Sequence, residues 1–103
     1  MGREYLYIRD HAVRRYGQRV HKGRSKLKKT DIEARIRQMF KKSDPVALAQ
    51  KSGTVLECVL HDQRRFYIIY VNDTIITIVT EEMFKENVKA GKYTLIGEPE
   101  PRS

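Results

Sequence analysis

The sequence predicts an α+β fold in which two N-terminal helices pack on an antiparallel β-meander of three to four strands. Apolar residues recur at helical spacing up to residue 42. From residue 54 the period changes to two. The stretch 67–79 is rich in isoleucine and valine and is split by the turn-forming pair Asn72-Asp73. Helices followed by a run of hairpins give a layer of helix on sheet.

Taken in order, residues 3–9 alternate Tyr5 and Tyr7 against Leu6 and Ile8, as a short strand or an extended lead-in. Asp10 suits an N-cap. The helix it would open spans residues 11–20, with Ala12, Val13, Tyr16 and Val20 as its apolar side. Gly17 weakens that helix by up to ~1 kcal/mol relative to alanine, so packing must hold it or it ends early. Residues 19–29 carry six Lys/Arg plus His21 and read as a solvated basic loop. Thr30-Asp31-Ile32-Glu33 has the form of a capping box. A second helix follows to about residue 42, with Ile32, Ile36, Met39 and Phe40 as a core stripe, and Ser43-Asp44-Pro45 ends it.

Three antiparallel strands are expected at 54–61, 64–71 and 74–81, joined by two-residue turns at Asp62-Gln63 and Asn72-Asp73. Two-residue turns pair Val71 with Thr74, Tyr67 with Ile78, Arg65 with Thr80, Leu60 with Arg65 and Cys58 with Tyr67. Both sheet faces are apolar in the middle, so both are expected to be covered. A one-residue slip would exchange the faces. Residues 81–90 form a short helix ending at Gly91, and 92–96 an edge strand. The whole reads as a single domain, residues 1–98, with a loose Pro-containing tail at 99–103.

Formal net charge is +8 over 103 residues, and the excess is one-sided. Residues 1–52 hold 15 Lys/Arg against 5 Asp/Glu, whereas residues 53–103 hold 6 against 8. A basic N-terminal half points to a polyanionic partner, above all nucleic acid, RNA or DNA. Cys58 is the single cysteine, so no internal disulfide forms and a buried structural thiol is expected. No apolar run approaches the ~20 residues of a membrane span, and the first ten residues lack a signal-peptide core. A cytoplasmic protein with no membrane contact is expected; monomer and dimer are not distinguished.

His11, Arg15 and Arg19 follow one another at steps of four along the first helix. A second polar set, His61, Arg64, Arg65, Tyr67 and Thr80, gathers near the first turn of the meander. Together they suit metal-free RNA cleavage. A base takes the 2′-hydroxyl proton, an acid protonates the leaving 5′ oxygen, and cations offset the charge on phosphate. Each residue also has a plainer reading. His11 can be an ordinary first-turn residue, Arg64 and Arg65 charges that blunt an edge, and Tyr67 and Tyr70 core aromatics. Cys58 and His61 have one zinc-type spacing but no second pair follows, and no cofactor is called for.

The layout "IRDHAVRRYGQRV", then a capped helix, then "VLECVLHDQRRFYIIYVNDTIITIVT", resembles a RelE/ParE-like small domain of the barnase–colicin–RelE ribonuclease superfamily, over residues 5–81. The resemblance implies a toxin-type, metal-independent endoribonuclease, with His11, Arg15, Arg19, Arg65, Tyr67 and Thr80 at the matching positions and an antitoxin or other protein as a partner. The chain departs from that pattern in its long basic linker at 21–29 and in lacking the basic-aromatic C-terminus of ribosome-dependent members. Arg14, Lys22, Arg24, Lys26, Lys28, Lys29 and Arg64 are the expected RNA contacts. A non-catalytic basic nucleic-acid-binding module, or a small protein-binding regulator, is the alternative. The nuclease reading makes one geometric demand: His11 must converge with Arg65, so that one phosphodiester touches both.

Overall fold

The computed structural model describes residues 6–21, 27–50 and 53–96. Strand β1 is Tyr7–Ile8, followed by helix α1 at Asp10–Arg15 and helix α2 at Lys29–Lys42. Strands β2 (Asp44–Ala49), β3 (Gly53–Val59), β4 (Arg65–Val71) and β5 (Thr74–Thr80) come next, then helix α3 (Glu81–Lys89) and strand β6 (Tyr93–Leu95). They form one six-stranded mixed sheet in the order β1-β5-β4-β3-β2-β6. The expected meander, β3-β4-β5, is its centre. The expectation of three to four strands is corrected to six, and a third helix covers the opposite face.

Two elements account for most of the difference. β2 follows α2 directly, and its Asp-Pro-Val-Ala-Leu-Ala sequence lacks the β-branched alternation that marks a strand. It is nonetheless an interior strand, paired with β3 and β6, and its ladder is irregular between Pro45 and Ala47, next to a residue that has no N–H to donate. β1 pairs in parallel with β5, with Tyr7 opposite Thr74 and Ile8 opposite Ile75.

Helix α1 continues as a wider π-helical turn, Tyr16–Val20, closed by the His21 N–H donating to the Tyr16 carbonyl at 3.0 Å. Gly17 lies inside this turn. Neither expected side-chain cap forms. Asp10 is the first residue of α1 and pairs with Lys29 at 2.8 Å, tying together the starts of α1 and α2. Lys28, rather than Thr30, occupies the N-cap of α2.

The Asn72-Asp73 turn is as expected, with φ of 46° and 60° and Val71 opposite Thr74. The first turn is not. Leu60 N–H donates to the Arg64 carbonyl at 2.8 Å, and Gln63 has φ 73°, so the connection has three residues, His61, Asp62 and Gln63. The extra residue places Cys58 opposite Phe66 and Glu57 opposite Tyr67. A second irregularity in β5, opposite Ile69 and Tyr70, places Val79 opposite Tyr67 and Thr80 opposite Phe66. Both shifts are single-residue slips, so Cys58 and Ile78, expected opposite Tyr67, turn to the other side of the sheet.

Two cores result. α1, its π-turn and α2 cover one face through Ala12, Tyr16, Val20, Ile36 and Met39, packed on Leu56, Cys58, Phe66, Ile68 and Ile78. α3 covers the other through Phe84, packed with Ala47, Val55, Tyr67, Ile69 and Val79. Cys58 is buried as expected, and burial pushes its thiol pKa up. No helix among the described residues is long and apolar enough to cross a membrane.

Candidate functional site

The structure does not bring the expected catalytic set together. Arg65 and Tyr67 project on the α3 face. Arg65 Nη1 donates to Glu57 Oε2 at 2.9 Å, and its Nε lies 3.9 Å from Glu81. The Tyr67 hydroxyl donates to the same Glu57 oxygen at 3.1 Å. Its ring stacks on Phe84, centroids 3.9 Å apart. Burial, then the neighbouring Glu57 carboxylate, pushes the Tyr67 pKa up to about 12. Thr80 is the N-cap of α3, its hydroxyl accepting from Met83 N–H at 3.2 Å. These three residues join β3, β4 and β5 to α3.

His11 and Arg15 lie on α1, across the sheet from Arg65. Arg15 Nε donates to His11 Nε2 at 3.3 Å, and Arg15 Nη1 donates to Gln18 Oε1 at 2.6 Å. Loss of solvation, then the charges of Arg15, Arg14, Arg19 and Arg9, lowers the His11 pKa. Arg19 Nη1 donates to the Ile78 carbonyl at 2.6 Å, on a stretch of β5 that two-residue β1 does not pair. The convergence of His11 with Arg65 is therefore corrected: the two stand on opposite faces of the sheet. Arg14 and Lys28 are exposed, and Lys29 is held by Asp10. Lys22, Arg24 and Lys26 lie outside the described residues.

A different constellation does assemble. Between the π-turn, the second half of α2 and the β3–β4 loop lies a cleft of about 400 Å³. The π-turn contributes Tyr16, Val20 and the following His21; α2 contributes Arg35, Gln38, Met39 and Lys42; the loop contributes Leu60, His61, Asp62 and Arg64. Tyr16, Val20 and Met39 are buried and form its apolar floor. Besides the Gln38 amide and the Tyr16 hydroxyl, its polar groups are two imidazoles and three cations against one carboxylate. That carboxylate is engaged: Asp62 Oδ2 accepts from Arg64 Nε at 2.8 Å and Oδ1 from Arg64 N–H at 3.2 Å. These bonds hold the Asp62 carboxyl below its usual range. Arg35 and Lys42 form no ion pair among the described residues, so their charge is available to a ligand. No three His, Cys, Asp or Glu among the described residues are grouped to hold a metal.

Of this cleft the sequence singled out His61 and Arg64, and counted His21 only as part of a loop. Arg35 and Lys42 were missed. A signal for them exists: they lie four before and three after Met39, so they border the core stripe on one side of α2. On the other side of α2, Leu6, Phe40, Pro45, Leu56 and Tyr70 line a larger and mainly apolar cleft of about 600 Å³, with Arg37 and Lys41 beside it. Arg37 is bonded to the Leu6 carbonyl at 2.8 Å.

The fold and the cleft define a small α+β protein with a two-histidine, cation-lined groove. No family profile, no curated protein and no solved structure matches the chain.

Proposed function

We propose that the protein is a metal-independent endoribonuclease that binds RNA over its two basic helices and cleaves it in the cleft between the π-turn, α2 and the β3–β4 loop. The observation that carries this reading is the presence of His21 and His61 in one groove with Arg35, Lys42 and Arg64. Histidine is the side chain suited to act as either acid or base near neutral pH. One neutral imidazole takes the proton of a ribose 2′-hydroxyl, and the oxygen attacks the adjacent phosphorus. The bond from phosphorus to the 5′ oxygen breaks, and the other imidazole, protonated, gives its proton to that oxygen. The products are a 2′,3′-cyclic phosphate and a 5′-hydroxyl. Arg35 and Lys42 offset the extra negative charge on the phosphoryl oxygens in the transition state. Arg14 and Arg15, on the solvent side of α1, extend the positive field along the path of the strand.

This version of the reaction leaves out His11, Arg65 and Tyr67, which the sequence placed at its centre. A toxin-type or mobile-element role rests on the resemblance noted above. The test is a single-stranded RNA oligonucleotide incubated with the protein in excess EDTA, with the ends of the products identified. Cleavage to 2′,3′-cyclic phosphate and 5′-hydroxyl ends is expected, and an all-deoxy oligonucleotide should bind without being cut. Salt-sensitive binding without cleavage would instead support the non-catalytic module. Absence of both would remove the nucleic-acid reading.

A further inference from the structure

The two imidazole-bearing segments come from distant parts of the chain, and their spacing has to be set by something. The π-turn ends at Val20, and the last carbonyls of a helical segment have no partner within it. Arg64 Nη1 donates to the Val20 carbonyl at 3.0 Å. The same guanidinium donates through Nε to Asp62, as described above. Val20 immediately precedes His21, and Asp62 immediately follows His61. One planar, rigid group is therefore bonded to the neighbour of each histidine. Its plane is further fixed by its place 5.3 Å from the centroid of the Phe66 ring.

We infer that Arg64 is a positioning residue that sets the separation of His21 and His61 across the cleft, and is not a phosphate ligand. This deepens the ribonuclease reading and rests on it for its catalytic consequence. The polar groups that line the cleft with the two imidazoles are Tyr16 on the π-turn, Arg35, Gln38 and Lys42 on α2, and Asp62 and Arg64 in the loop. Arg64 is bonded to both histidine-bearing segments, through Asp62 and through the Val20 carbonyl. A lysine at this position keeps the charge but lacks the fork that reaches both segments at once.

The experiment compares the full chain with its Arg64→Lys variant. Small misplacements of reacting groups are costly, so kcat is expected to fall about 10- to 100-fold. KM and the salt slope of RNA binding should stay near wild type, because charge at the site is unchanged. A raised KM, or a salt slope lower by about one charge, with kcat unchanged would make Arg64 a phosphate ligand and overturn the inference. Imidazole NMR resonances give a readout that needs no cleavage: those of His21 and His61 should both move in the variant, while that of His11 stays. If neither moves, the positioning role is wrong. If the wild type cuts no RNA but both resonances move, the ribonuclease reading fails and the clamp stands. Should Arg64→Lys not fold, Asp62→Asn removes the carboxylate end of the clamp alone, with the same expected loss of kcat and a shift confined to His61; an unmoved His61 resonance would again overturn the inference.

Discussion

Tyr67 shows how a residue suited to chemistry can be absorbed by structure. The residue is 5% exposed, its ring stacked on Phe84 and its hydroxyl bonded to Glu57. The same burial that removes it from solvent disfavours its anion. The unfolded chain releases the proton near pH 10, the folded protein near 12. In that window the folded state binds more protons than the unfolded one, so stability falls as pH rises from about 10 to 12. Tyr67→Phe keeps the stack and removes the titrating group. Urea midpoints measured from pH 8 to 11.5 are expected to decline less steeply for this variant than for wild type. Parallel declines would show that Tyr67 titrates in the folded protein as it does in the unfolded one. His11 carries the same lesson in milder form. Its Nε2 accepts from Arg15, and loss of solvation and the neighbouring guanidiniums lower its pKa, so its surroundings favour the neutral form.

Much of the element plan was legible from residues alone. The stripe Ile32, Ile36, Met39 marked α2 to within two residues of its start. Isoleucine and valine marked β4 and β5, and Asn72-Asp73 marked their turn. The positions of the site residues were not legible, and the cause is local. The three-residue loop ends at Gln63, in the left-handed region, where glycine or asparagine would have announced it. Read as a two-residue turn, the hairpin places Cys58 beside Tyr67; read correctly, it places Glu57 there, and Arg65 finds a carboxylate partner. The irregularity in β5 has no sequence marker at all. A glutamine with positive φ is strained, so Gln63→Gly is expected to stabilise the protein by about 0.5–1 kcal/mol in urea unfolding, leaving the register unchanged. Destabilisation would mean that Gln63 is not left-handed in solution. The π-turn is the other device the periodicity hid. A regular helix through residue 20 would carry His21 onward with it, whereas the wider turn ends there and leaves His21 in extended backbone beside the cleft.

At the scale of the molecule, the sheet separates two chemistries. The α3 face holds Glu57, Glu81, Glu82 and Glu86 against Arg65, Lys85 and Lys89, with Arg65 and Lys85 tied to Glu57 or Glu81. The other face holds the basic helices and the cleft, where Arg35 and Lys42 form no ion pair among the described residues. The charge imbalance between the halves of the sequence thus becomes an imbalance between the faces of the fold. That separation was foreshadowed in the charge count. The grouping of His21 with His61 was not, because the two lie about forty residues apart in the chain and only the fold brings their segments together, with Arg64 bonded across them. The central claim is that these two imidazoles act together on one phosphodiester. The most direct measurement is the rate of RNA cleavage in EDTA by wild type, His21→Ala, His61→Ala and His11→Ala, with RNA affinity measured alongside. Removing either cleft histidine should lower the rate at least about 100-fold with affinity retained, and removing His11 should leave it nearly unchanged. Loss of cleavage with His11→Ala alone, while both cleft variants remain active, would contradict it.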